Sequence, residues 1–142
     1  MDHLAILDKK RKLRSKILSG EKTIESRWYC TKRDPWDKIK VGEQIYFKDS
    51  GEPVSVRALV SEVRQFYLPQ TNVLDLLEKY GREIGFVPED FPEIALRNKC
   101  KKYCILISLK EVQEIPPFNI NKKGFGMMAA WIVVSDINRI KL

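Results

Sequence analysis

The sequence predicts an α+β domain whose short, mostly antiparallel strands close as a small barrel. Strand-like stretches rich in β-branched and aromatic residues lie toward both ends of the chain, among them Thr23–Cys30 and Tyr103–Ile115. Between them sit two helical segments, Asn72–Tyr80 with Val73, Leu76, Leu77 and Tyr80 at three-and-four spacing, and the shorter Pro88–Asn98 carrying Ile94, Ala95 and Leu96. The stretch Asp49-Ser50-Gly51-Glu52-Pro53 is turn chemistry joining two strands into a hairpin. Strands, an inserted helical pair and strands again make a mixed layer order rather than an alternating βα one. At 142 residues the expectation is one domain, 1–142, large enough to bury its own core.

Taken in order, His3–Leu7 is a short apolar run read as a buried strand. Lys9–Ser19 follows with apolar residues at Leu13, Ile17 and Leu18, a narrow helical stripe, and Gly20 supplies the residue that ends it. Thr23–Cys30 is a strand, Thr31–Lys40 a polar loop holding Asp34-Pro35-Trp36, and Val41-Gly42-Glu43 a turn. Gln44–Lys48 and Val54–Tyr67 form the hairpin. The helix from Asn72 is expected to end at Gly81, and the helix from Pro88 to start under an Asp90 cap. In Tyr103–Ile115 the run Cys104-Ile105-Leu106-Ile107 suggests burial on both faces, and Pro116-Pro117 is expected to stop the strand. A Gly-bearing basic loop, Asn121–Gly126, leads to a last strand, Ala129–Val134.

Composition narrows the function classes. A chain 44% hydrophobic and 32% charged is a globular composition, not a disordered one. No apolar run approaches the roughly 18 residues of a membrane span, and the start lacks a signal-peptide core, so no membrane role and a cytoplasmic location are the expectations. Cys30, Cys100 and Cys104 are an odd number in a chain expected to be intracellular, so no disulfide framework is expected. They are also poor metal ligands, because the only histidine, His3, lies near a flexible start. Neither metal nor cofactor is expected. The net charge of +7 favours polyanionic partners, nucleic acid above all, although the run Lys9–Lys16 also reads as a solvated helix face. Lys99, Lys101 and Lys102 form a second basic cluster.

The chemistry is densest in Gly20-Glu21-Lys22-Thr23-Ile24-Glu25-Ser26-Arg27. Strand alternation aims Glu25, Arg27 and Tyr29 to one face and Ile24, Ser26, Trp28 and Cys30 to the other, with the second face read as core and Lys22 at the strand's mouth. Gly20, Lys22, Glu25 and Arg27 stand at the spacing of the G-x-K-x-x-E-x-R motif, and the chain resembles the ASCH family, whose fold is similar to that of PUA domains. The helix before Gly20, the Val41-Gly42-Glu43 turn and the late Lys122-Lys123-Gly124-Phe125-Gly126 segment before Ala129-Ala130-Trp131 agree. The resemblance implies a PUA-like barrel of five to six strands with flanking helices and a cleft floored by the motif. It also implies an RNA-linked role, with protein partners unknown.

Two functions compete. In the first, the chain is a binding module for RNA or a nucleotide-like small molecule. Lys22 and Arg27 supply charge, Glu25 accepts from a base amine, Tyr29, Trp36 and Phe125 offer stacking faces, and Lys123 lies in the basic loop. In the second, implied by a hydrolytic branch that the family resemblance brings in, the chain hydrolyses a small amide such as acylcytidine. There Lys22 acts as base, Glu25 stands where that branch carries Thr, and Glu83 or Glu78 supplies the helical carboxylate. A third possibility is that Lys22, Glu25 and Arg27 form an ion-pair lattice with no ligand.

Overall fold

The computed structural model describes all 142 residues. Six strands, β1 (Asp2–Leu7), β2 (Ile24–Tyr29), β3 (Gln44–Asp49), β4 (Val54–Tyr67), β5 (Tyr103–Phe118) and β6 (Trp131–Val134), form one sheet in the order β2-β5-β4-β3-β1-β6. Only the β1–β3 pair is parallel; every other neighbouring pair is antiparallel. Three helices, α1 (Leu13–Ser19), α2 (Val73–Ile84) and α3 (Phe91–Arg97), flank it. The sheet curls into a half-barrel. Its two edges, β2 and β6, are not paired with each other, so an open seam runs between them.

Alternation along β5 explains how one strand serves two cores. Ile105 and Ile107 point into the curl with Ala5, Leu7, Phe47, Val56, Val60 and Trp131, and Ile17 of α1 closes that cluster. Cys104 and Leu106 point outward, where Leu76 and Ile84 of α2 cover them together with Ile24 of β2. The apolar run at the start of β5 is therefore buried on both faces. That burial stiffens the β2–β5 pair, on which the site is built.

Several boundaries differ from those expected, each for a physical reason. The first helix breaks at Lys12, whose φ of 55° separates a short turn at Lys9–Arg11 from α1. α2 continues through Gly81 to Ile84, because Gly81 is the surface on which α3 packs: a Cβ there would lie 2.5 Å from the Phe91 ring. α3 starts at Phe91, and Asp90 makes no side-chain capping bond. β5 runs through both prolines to Phe118, which a register shift between Val54 and Val56 accommodates by relieving the ladder of amides that proline lacks. β6 starts at Trp131, two residues later than expected. His3, expected near a flexible start, is fully buried within β1.

Candidate functional site

The site grows from the way α1 delivers the chain to β2. Gly20 ends α1 with φ 82°, donating its amide to the Ile17 carbonyl, and the backbone reverses direct into the edge strand. β2 has a neighbour on one side only, β5, so its free side borders the seam. Its alternation sends Glu25, Arg27 and Tyr29 toward the interior of the curl. Ile24 and Trp28 go toward α2 and α3, where Ile24 is buried and Trp28 half-buried. Cys30 lies beyond the strand and is exposed, which corrects its placement on a core face. Cys100 is exposed too, and Cys104 alone is buried.

Lys22 does not stand at the strand's mouth. It is 2% exposed, with its aliphatic stem beneath Gly85 and its ammonium donating to the carbonyls of Ile24 and Ile84, each at 2.8 Å. Glu25 is 3% exposed, and its Oε1 lies 3.8 Å from Lys22 Nζ and 3.9 Å from Arg27 Nε while accepting the Ser26 amide at 3.0 Å. Burial pushes the Lys22 ammonium below the usual lysine range, and the Glu25 carboxylate beside it opposes that shift. The second carboxylate oxygen, Glu25 Oε2, is buried and has no hydrogen-bond partner.

Two cavities meet over this carboxylate. One, of about 360 Å³, lies toward α3 and is lined by Lys16, Lys22, Phe86 and Arg97; the other, of about 600 Å³, lies along the seam and is lined by Arg27, Tyr29, Lys122 and Met128. Arg11, Leu13, Glu25, Ser26 and Trp28 line both. Ser26, expected on a core face, is only half-buried and accepts the Trp28 indole N–H at 3.0 Å.

The structure brings together Lys22, Glu25, Arg27 and Tyr29 and leaves the remaining expected residues elsewhere. Trp36 lines neither cavity: it is half-buried, packs edge-on against Tyr103 at 4.9 Å between ring centroids and lies against the inner core. Glu83 is exposed and holds the site only through its backbone, where its carbonyl accepts from Thr23. Glu78 borders a separate cavity between α2 and α3. Lys123 and Phe125 are exposed and line neither cavity, whereas Lys122, one residue earlier, does, with its ammonium on the carbonyls of Met127 and Ala129.

Arg27 closes the seam that the strands leave open. Its Nη1 donates to the Ala130 carbonyl and its Nη2 to that of Ile6, each at 3.3 Å, and the guanidinium lies 5.1 Å from the Trp131 ring. The Trp131 indole N–H donates to His3 Nδ1 at 3.1 Å, and His3 Nε2 meets Glu43 Oε1 at 3.0 Å. Because indole only donates, Nδ1 is the unprotonated nitrogen and Nε2–H donates to Glu43. Sequence reasoning missed this chain entirely, since nothing local ties His3 to residues 40 and 128 positions away.

No protein-family model matches the sequence, and no curated protein does. Solved structures do match. The ASCH protein of Zymomonas mobilis superposes with a TM-score of 0.69 at 18% identity over 97% of this chain and 91% of that one; a point mutant of it gives 0.70 at 19% over 97% and 93%. This chain has an ASCH-like fold. A protein from Enterococcus faecalis superposes less fully, with a TM-score of 0.52 at 14% identity over 72% of this chain and 68% of that one. At these identities the likeness is one of architecture: the ASCH-like half-barrel and its helices are shared. No helix is long and apolar enough to cross a membrane, and no group of three or more His, Cys, Asp or Glu side chains is placed to hold a metal.

Proposed function

We propose that this ASCH-like domain binds a nucleotide-like ligand, a nucleobase of single-stranded RNA or a related small molecule, in the double cavity over β2. The observation that carries the proposal is Glu25, a buried carboxylate that lines both cavities and keeps one oxygen, Oε2, without a hydrogen-bond partner. A buried acceptor without a donor costs about 1–3 kcal/mol, and a ligand that brings an amide-like or amine N–H removes that cost. Nucleobases present such groups on their pairing edges. Around the carboxylate stand Arg11, Lys16, Arg97 and Lys122, a cationic wall suited to phosphate, and Trp28 offers a half-buried aromatic surface beside them.

Binding fits the geometry better than hydrolysis. A base role for Lys22 needs a lone pair aimed at substrate, whereas its three donor directions meet two carbonyls and the Glu25 carboxylate. Neither Glu78 nor Glu83 lines either cavity, so the helical carboxylate of that scheme has no counterpart there. Acylcytidine is accordingly expected to keep its absorbance when incubated with the protein.

The test is fluorescence anisotropy of a labelled short single-stranded RNA at low and moderate salt, with wild type and Glu25→Gln. Replacing the free oxygen by an amide removes a charge-assisted hydrogen bond worth about 1.5–3 kcal/mol, so affinity is expected to fall by roughly 10- to 100-fold, and wild-type affinity to weaken with salt. Equal affinity in the two proteins, with the variant folded by circular dichroism, contradicts the proposal.

A further inference from the structure

A second charged surface lies outside this cavity, at the end of the half-barrel where β2 finishes and β5 begins. Two segments distant in sequence run side by side there. The Lys102 amide donates to the Tyr29 carbonyl at 2.9 Å, and the Cys30 sulfur lies 3.9 Å from the Cys100 carbonyl oxygen. Their juxtaposition gathers Lys32 and Arg33 from one segment with Lys99, Lys101 and Lys102 from the other. None of the five is in an ion pair. The nearby carboxylates are spoken for: Asp34 pairs with Lys38, and Asp37 accepts from Gln65.

Aromatic rings are interleaved with these cations. Lys32 Nζ sits 5.9 Å from the Tyr103 ring and the Arg33 guanidinium 5.5 Å from that of Tyr29. Tyr103 in turn packs against Tyr67 at 5.8 Å, and Tyr67 is 43% exposed. Unpaired like charges held together repel one another, and a solvated surface needs no aromatic lattice beneath them. A polyanion with flat, stackable rings answers both features, which is the chemistry of a single-stranded nucleic acid. The face also adjoins the cavity: Tyr29, beneath Arg33, lines the seam side, and Arg97, two residues before Lys99, lines the side toward α3.

We propose that this basic, aromatic end-face is a second docking surface that carries the backbone of a single RNA strand leaving the cavity, so that the ligand is an oligonucleotide and not a free nucleotide. The proposal rests on the cavity binding a nucleobase, and the experiment separates the two. Anisotropy titrations across a range of salt compare labelled RNAs of about 3 and about 12 nucleotides, lengths that respectively fill the cavity alone and span the site size of a single-strand-binding module. The proteins are wild type, the triple variant Lys32→Ala/Lys99→Ala/Lys102→Ala at three exposed positions, and Glu25→Gln.

Wild type is expected to bind the longer RNA at least about tenfold more tightly. In the triple variant that gain disappears, the slope of log affinity against log salt falls by about 2 for three lost phosphate contacts, and the short RNA binds as before. Equal affinities of wild type and triple variant for the longer RNA, or no length dependence in wild type, overturn the end-face. If the longer RNA depends on the three lysines but not on Glu25, the end-face stands and the cavity proposal falls. If the short RNA binds in a Glu25-dependent way and the longer one binds no more tightly, the cavity stands and the end-face falls.

Discussion

At the scale of single residues, the decisive feature is that Lys22 and Glu25 are both buried and each is the other's counter-charge. Removing one partner of a buried pair leaves an uncompensated charge, which costs about 3–5 kcal/mol. Glu25→Ala is expected to lower stability by that amount, and Lys22→Met by less on this count because Arg27 stays 3.9 Å from Glu25, each read as a shift in the urea midpoint. The Lys22→Met change also leaves the Ile24 and Ile84 carbonyls without their donor. A shift under about 1 kcal/mol for both would mean that the pair is solvated. The shared face of Glu25 and Arg27 was legible in the sequence, because strand alternation fixes it. The burial of Lys22 was not, because its partner carbonyl at Ile84 lies 62 residues away and only the docking of α2 brings it near.

At the scale of elements, the contacts between helices and within β1 set the shape of the site. Gly81 lets α2 and α3 touch, and a methyl group there meets the Phe91 ring at 2.5 Å, so the ring or the helix that carries it must shift. Gly81→Ala is expected to destabilise by about 1–3 kcal/mol in thermal unfolding, since overpacking outweighs the gain in helix propensity. An unchanged or raised midpoint would contradict that packing. The helical spacing around Gly81 was readable, but its role was not, because a glycine after a periodic run looks like a stop signal until its neighbour is known.

β1 carries a pH dependence. Burial lowers the proton affinity of His3, although Glu43 works in the opposite direction, and Trp131 donates to its other nitrogen. The unfolded chain therefore takes up the proton first. Stability owed to His3 is intact above the ordinary histidine value of 6.5 and falls as pH drops below it, by up to about 1.4 kcal/mol per pH unit, until the folded-state value is reached. Asp2 and the chain's first amine also act on this ring, in opposite directions. Urea midpoints between pH 7.5 and 5.5 are expected to fall in wild type and to fall less in His3→Gln. Parallel trends would show that His3 does not titrate against stability.

At the scale of the whole molecule, the ASCH-like half-barrel leaves one seam unpaired and spans it with a side chain. Arg27 reaches across to the carbonyls of Ile6 and Ala130, so the residue that closes the barrel also walls the cavity. The α+β class and the strand order of the hairpin followed from patterning and turn chemistry. The open seam, the parallel β1–β3 pair and the packing of Trp36 against Tyr103 did not, because each depends on contacts between segments remote in sequence. The net charge of +7 pointed to polyanions without saying where they bind, and the structure sets Arg11, Lys16, Arg97 and Lys122 among the residues lining the two cavities.

The most direct test of the central claim is an amide chemical-shift titration of the folded protein with a short single-stranded RNA. Binding over β2 is expected to move the signals of Ser26, Arg27, Trp28 and Gly85 first and in saturable fashion, with the Ser26 amide foremost because it donates to Glu25 Oε1. Saturable shifts confined to residues outside the double cavity, or none at all at low salt, would contradict it.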